Sequence, residues 1–256
     1  LETQLPDVEA CRELFTELEF TSMLRDLAPS AAAAATELIE EPNQEQVAAF
    51  YRAARANGFS FALDAAAAVV IPAEEDTEPE VPTNLSLLDV AEAAEKEATA
   101  CIGASAEPAI ALRLSVTEEL KALLEDASTA KRTHDVKLAL HLLGGQGITL
   151  RGPVEDTMLL SYALNPTHAT QTLADVAARH NQTPPSTPVA GAAAIQALVP
   201  VLQQEAEKAE VGRAYREIDL PLAPVLFRME QAGVRIDRAA LDALSQRFSV
   251  ELERVS

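Results

Sequence analysis

The fold of this chain is decided by the stretch Gly58-Phe59-Ser60-Phe61-Ala62-Leu63-Asp64-Ala65-Ala66-Ala67-Ala68-Val69-Val70. Its first half is apolar and carries the bulky side chains that strands favour, which predicts a buried strand. Asp64 follows where the apolar run ends, and a carboxylate at the end of a buried strand is costly unless it binds a metal, a partner or water. The residues directly after it are alanines. The stretch therefore predicts a central strand that ends on a single carboxylate.

The composition is typical of an acidic, helix-rich globular protein. Hydrophobic residues make up 48% of the 256 residues, but many of them are alanine and only 4% are aromatic. The formal charge of −20 repels phosphate backbones, which disfavours a stand-alone nucleic-acid binder. The two cysteines, Cys11 and Cys101, have no motif spacing, so the sequence predicts neither a disulfide framework nor a zinc site. No long apolar run or leader is visible, so we expect a soluble cytoplasmic protein.

Helical and strand patterns alternate along the rest of the chain. Residues 29–42 have the composition of a connector, with five consecutive alanines. We expect further strands at 98–104, 108–115, 131–133, 154–156 and 234–236. We expect helices at 8–27, 43–57, 85–96, 116–126, 136–143, 157–164, 171–180, 191–208 (kinked or split at Pro200), 211–229 and from 237 onwards. Strands that alternate with helices, with a hairpin among them, indicate an α/β domain with a mixed sheet.

Three stretches carry a resemblance to a known family, and they occur in the matching order. They read RELFTELEF at 12–20, DTMLLSYALNP at 156–166, and EIDLPLAPVL followed by MEQAGVRID at 217–226 and 229–237. Together they resemble bacterial DNA polymerase I, a family A DNA polymerase. The resemblance implies a ribonuclease-H-like 3′–5′ exonuclease fold, with a mixed central sheet flanked by helices, at 42–207. It also implies a helical tail at 1–41 that follows a 5′-nuclease domain and the start of the polymerase thumb at 208–256.

The resemblance also implies where the exonuclease site would lie. Proofreading hydrolysis uses two metal ions, which need several converging carboxylates. Asp64 matches the first aspartate of the family pattern, whereas Ala66 stands where a glutamate is expected and Ala139 where a helix aspartate is expected. The helix matching the last motif, at 191–198, has no tyrosine and no acid. We therefore interpret the domain as a vestigial exonuclease that retains Asp64 as a relic and has no catalytic residue, no cofactor and no metal site.

Two alternatives stay open at this point. A weakened 3′–5′ exonuclease could use Asp64, Asp135 and an acid from the loop at 74–80, with His134 or His141 as extra metal ligands. Asp135 stands where the N-cap of a helix belongs, which favours a structural role for it. The second alternative is an adaptor that binds protein partners through the acidic loop.

The resemblance further implies that the chain is a middle piece of a larger enzyme. The expected parent is a DNA-directed DNA polymerase, a nucleotidyltransferase that uses Mg²⁺ and acts in DNA replication and repair. Because the polymerase palm would lie outside this chain, we expect no polymerase activity here and weak or no DNA binding. We expect no membrane partner, and the sequence leaves the oligomeric state open. The alanine-rich site is expected to be collapsed, and the domain to support the thumb.

Overall fold

The computed structural model describes residues 7–18, 20, 23, 36–63, 101–107, 110–235 and 237–255. Several predictions concern residues outside this described part. They are the carboxylate of Asp64, the alanine at Ala66, the acidic loop at 74–80 and the helix at 85–96.

The centre of the protein is a mixed six-stranded sheet. Its strands are β1 (Glu37–Ile39), β2 (Phe59–Leu63), β3 (Cys101–Glu107), β4 (Ile110–Ser115), β5 (Lys131–Thr133) and β6 (Val154–Asp156). They lie in the order β1-β4-β3-β2-β5-β6. Strand β3 is antiparallel to both β2 and β4, whereas the pairs β1–β4, β2–β5 and β5–β6 are parallel. The predicted mixed sheet, its central strand and its hairpin are confirmed.

Helices surround this sheet and continue beyond it. They are α1 (Val8–Glu17), α2 (Gln44–Asn57), α3 (Glu118–Glu125), α4 (Val136–Gly145), α5 (Thr157–Leu164), α6 (Leu173–Arg179), α7 (Pro188–Lys208), α8 (Gly212–Ala214), α9 (Leu220–Ala232) and α10 (Arg238–Val255). A π-helical stretch, Tyr215–Asp219, joins α8 to α9. None of the described helices is both long enough and apolar enough to cross a membrane.

The prediction of a connector over residues 29–42 is wrong at the C-terminal end of that range. Residues Glu37–Ile39 form β1, which pairs in parallel with β4 at the edge of the sheet. A salt bridge between Arg113 and Glu40, at 3.4 Å, lies beside this pairing. Three residues are too few to show an alternating pattern, so the strand can be recognised only through its partner.

Two further boundaries differ from the sequence prediction. Helix α7 begins at Pro188 and passes through Pro200 without a break, because Thr187 caps its start and tertiary packing holds the helix on the sheet. The strand predicted at 234–236 is absent from its described residues, 234 and 235. Gly233 ends α9 with φ of 68°, and Val234 is 89% exposed, so the β-branched valine has no partner strand.

Two apolar clusters hold the sheet between its helices. Aromatic residues of α2 and β2 form the centre of the first, with Phe50, Phe59 and Phe61 in edge or tilted ring contacts. The second joins α5, α6 and α7 to Tyr215. Helix α7 lies very close to β3, because a Cβ atom at Gly103 would lie 2.0 Å from the carbonyl oxygen of Pro188. Only glycine allows this approach.

Lys131 of β5 is buried, and its side chain binds the loop after α3 to the sheet. The Nζ of Lys131 donates to the carbonyl oxygens of Asp126, Thr129 and Arg151, at 2.5, 2.9 and 2.7 Å. Burial lowers the pKa of this lysine. A charge this deep is tolerated because all three of its protons have acceptors.

Candidate active site

A cleft of about 470 Å³ opens where β2 ends. Leu63 lines it from β2, Asp135, Leu138 and Ala139 line it from the start of α4, and Ile195 lines it from α7. This is the place at which the sequence located the exonuclease site. The alanines after Asp64, on which the expected collapse depends, lie outside the described residues. Most of the side chains lining the cleft are apolar.

Asp135 is the carboxylate that lines this cleft in the described part of the chain. It has a left-handed backbone conformation, with φ of 61° and ψ of 74°, and its Oδ1 accepts the N–H of Leu138 at 3.0 Å. This confirms the predicted N-cap. The carboxylate therefore stabilises the first turn of α4 by satisfying one of its free N–H groups.

Ala139 lies one helical turn after Asp135, at the position where the resemblance predicts a helix aspartate. It is 2% exposed and forms part of the cleft wall. Ile195 of α7, within the segment 191–198 that was matched to the family's last motif, is fully buried. Among the described residues, no group of three or more His, Cys, Asp or Glu side chains could hold a metal ion.

Both histidines considered as extra ligands contact other groups. The Nδ1 of His134 lies 2.8 Å from the hydroxyl of Thr157, and burial lowers the pKa of His134 to about 4. His141 lies on another side of α4, where its Nε2 is 2.6 Å from Glu230 of α9. The structure therefore does not bring the two histidines together with Asp135 as a ligand set.

Sequence reasoning missed a fully buried carboxylate near the cleft, that of Asp156. It is fully buried at the end of β6 and accepts N–H groups from the starts of two helices. The donors are Asp135 at 3.1 Å and Val136 at 2.7 Å, then Met158 at 2.8 Å and Leu159 at 3.3 Å. Burial raises the pKa of Asp156 to about 6, and the four N–H bonds oppose this shift. An aspartate directly before a helix predicts one cap, but the second depends on tertiary structure.

Comparisons with known proteins agree with this geometry. Residues 109–187 match the family described as DNA polymerase I, ribonuclease H-like domain. DNA polymerase I of Geobacillus stearothermophilus is 33% identical over 156 residues, which is 52% of this chain and 18% of that protein. DNA polymerase I of Mycobacterium tuberculosis strain H37Rv is 29% identical over 156 residues, 52% of this chain and 17% of that protein. The chain thus spans less than a fifth of these curated relatives.

Solved structures show the same architecture. The POL domain of Pol1 from M. smegmatis, in complex with DNA primer-template and dNTP, superposes with a TM-score of 0.54 at 28% identity, covering 61% of this chain and 30% of that chain. Brucella melitensis NrnC with bound Mg²⁺ gives a TM-score of 0.51 at 14% identity, covering 68% of this chain and 85% of that chain. The second likeness shows the fold alone.

The fold is that of a ribonuclease-H-like domain. The region at its centre is a 3′–5′ exonuclease-like region of the kind found in bacterial DNA polymerase I, as the resemblance predicted.

Proposed function

We propose that the exonuclease-like domain is catalytically inactive and acts as a structural module of a protein related to DNA polymerase I. One observation carries this proposal. At the position where the resemblance predicts a helix aspartate, the chain has a buried alanine, Ala139, which forms part of the cleft wall. The neighbouring carboxylate, Asp135, is engaged as the N-cap of α4.

Bringing two divalent ions into this cleft would be energetically costly, because few oxygen ligands line it. Mg²⁺ and Mn²⁺ need hard oxygen ligands, and in two-metal hydrolysis several carboxylates balance their charge. Leu138, Ala139 and Ile195 offer no oxygen from their side chains. Asp64 and Asp135 could supply at most two carboxylates, and Asp135 would have to share its oxygens with the helix. We therefore propose that Asp64 is a relic of the ancestral site.

The domain division is also a proposal. We assign 1–41 to a helical tail, 42–207 to the exonuclease-like domain and 208–256 to the start of a polymerase thumb. The pairing of Glu37–Ile39 with β4 supports starting the central domain a few residues earlier, at β1. The parent would be a Mg²⁺-dependent polymerase that acts on DNA in the bacterial cytoplasm during replication and repair, with most of its DNA contacts outside this chain.

A nuclease assay tests the inactivity. The purified chain is incubated with Mn²⁺ and single-stranded DNA whose label marks the 3′ end, beside the variants Asp64→Ala and Asp135→Ala. We expect all three proteins to shorten the DNA at the same background rate, because no pair of metals is assembled.

Shortening that both variants abolish would contradict the proposal and favour the weakened exonuclease. Shortening that persists equally in both variants would come from a contaminating nuclease, because it would not depend on either carboxylate. The folded state of each variant is checked by circular dichroism, so that a loss of activity is not confused with unfolding.

A further inference from the structure

Helix α4 has two faces that contact different parts of the molecule. Leu138 and Ala139 line the cleft, on the same side as the Asp135 cap. Lys137 and His141, four residues apart, meet α9 on an adjacent face. Because close-packed interiors transmit strain, a displacement of one face of this ten-residue helix would also move the other face.

The contact between α4 and α9 is centred on Glu230. Its Oε1 accepts from the Nζ of Lys137 at 2.7 Å, and its Oε2 lies 2.6 Å from the Nε2 of His141. The pKa of Glu230 is lowered, mainly by the hydrogen bond from Lys137 and next by the hydrogen bond from His141. The ring of Phe227 meets the His141 ring edge-on, with the centroids 4.8 Å apart. Both oxygens of one carboxylate are therefore used to hold α9 against α4.

Tyr215 provides a second attachment that leads to the same helix. Its hydroxyl donates to the Oε2 of Glu155 at 2.8 Å and accepts the N–H of Asp156 at 2.9 Å. The carboxylate of Asp156 in turn holds the N–H groups of Asp135 and Val136 at the start of α4. Tyr215 is almost completely buried, and so is its bond to Asp156, whereas its bond to Glu155 is only partly buried.

We propose that the docking of α9 is energetically coupled to the shape of the cleft through α4 and Asp156. The two states are a docked one, with Glu230 bound by Lys137 and His141, and a released one, with these three groups in water. Filling the cleft displaces the start of α4 and favours the released state. By thermodynamic linkage, the release of α9 shifts the equilibrium of the cleft wall towards its loosened form, and the two equilibrium constants change by the same factor. This coupling does not depend on whether the cleft is catalytically active.

Hydrogen exchange tests the coupling in both directions. In the first, Ala139→Leu fills the cleft, and we expect amide exchange in α9 to become about fivefold faster. In the second, Glu230→Gln weakens the α9 contact, and we expect a similar acceleration at the amides of Leu138 and Ala139. If Ala139→Leu does not fold, Ala139→Val adds less volume to the same wall, and a smaller acceleration in α9 is expected.

Matched controls separate coupling from general destabilisation. Leu173→Met alters the same cleft from α6 and should leave α9 unchanged. Glu217→Gln breaks the exposed pair with Arg213, at 2.9 Å, and should leave the cleft amides unchanged. A selective acceleration at the distant site supports the proposal. No acceleration there, or one that is equally large in α2, overturns it. The nuclease assay has no bearing on either result.

Discussion

Replacing Asp156 by alanine is expected to lower the free energy of unfolding by about 3–5 kcal/mol. The carboxylate is fully buried and accepts four backbone N–H groups from the first turns of α4 and α5. Alanine leaves all four donors without this acceptor in a place that water does not reach, and each such donor is costly. The same change removes the charge that interacts favourably with the positive ends of both helices. Urea denaturation followed by circular dichroism measures the loss.

The matched control is Thr187→Ala, which removes the cap of α7. Thr187 is exposed and accepts a single N–H, that of Ala190 at 3.2 Å, so about 1 kcal/mol is expected there. If the two variants lost similar stability, the buried double cap would contribute no more than an ordinary one. The structural role assigned to Asp156 would then be wrong.

Acidification from pH 7 to pH 4 is expected to remove about 3 kcal/mol of stability through His134 alone. Burial lowers the pKa of this histidine from 6.5 to about 4, because the charged imidazolium is not hydrated inside the protein. The unfolded chain therefore takes up a proton at a higher pH than the folded chain does. The stabilising contribution is fully present above pH 6.5 and is lost as the pH falls towards 4.

The measurement is a series of urea denaturations between pH 4 and pH 7, performed on the native sequence and on His134→Gln. The variant loses the hydrogen bond to Thr157 at every pH, so the diagnostic quantity is the difference in slope between the two proteins. The loss of unfolding free energy with falling pH that is assigned to His134 should be unchanged in His141→Gln, because this variant replaces a different, partly exposed histidine. Parallel pH profiles for the native protein and His134→Gln would show that the His134 pKa is not lowered by folding.

Much of the fold could be predicted because its signals are local. The apolar run before Asp64 predicted β2, and the position of Asp135 before an apolar period predicted both the start of α4 and its cap. Asn43 and Gln46 form the capping box that starts α2, a pattern confined to four residues. Such features depend on neighbours in the chain, and for that reason the sequence displays them.

The features that escaped prediction depend on contacts between distant residues. Strand β1 has only three residues and is defined by its pairing with β4, more than 70 positions away. Asp156 binds α4 across 20 positions, and Glu230 binds it across 93. Ala139 was singled out only through the family resemblance, which predicts an aspartate there, because an alanine side chain has no functional group that would mark a site.

Whether the cleft assembles a metal site is tested most directly by a Mn²⁺ titration observed by NMR. Bound Mn²⁺ broadens nearby amide signals, so its position is read without any need for catalysis. We predict no selective broadening at Leu138, Ala139 and Ile195 when substoichiometric Mn²⁺ is added, with weak effects spread over the acidic surface. Saturable broadening centred on these three residues, and abolished by Asp64→Ala, would contradict the account.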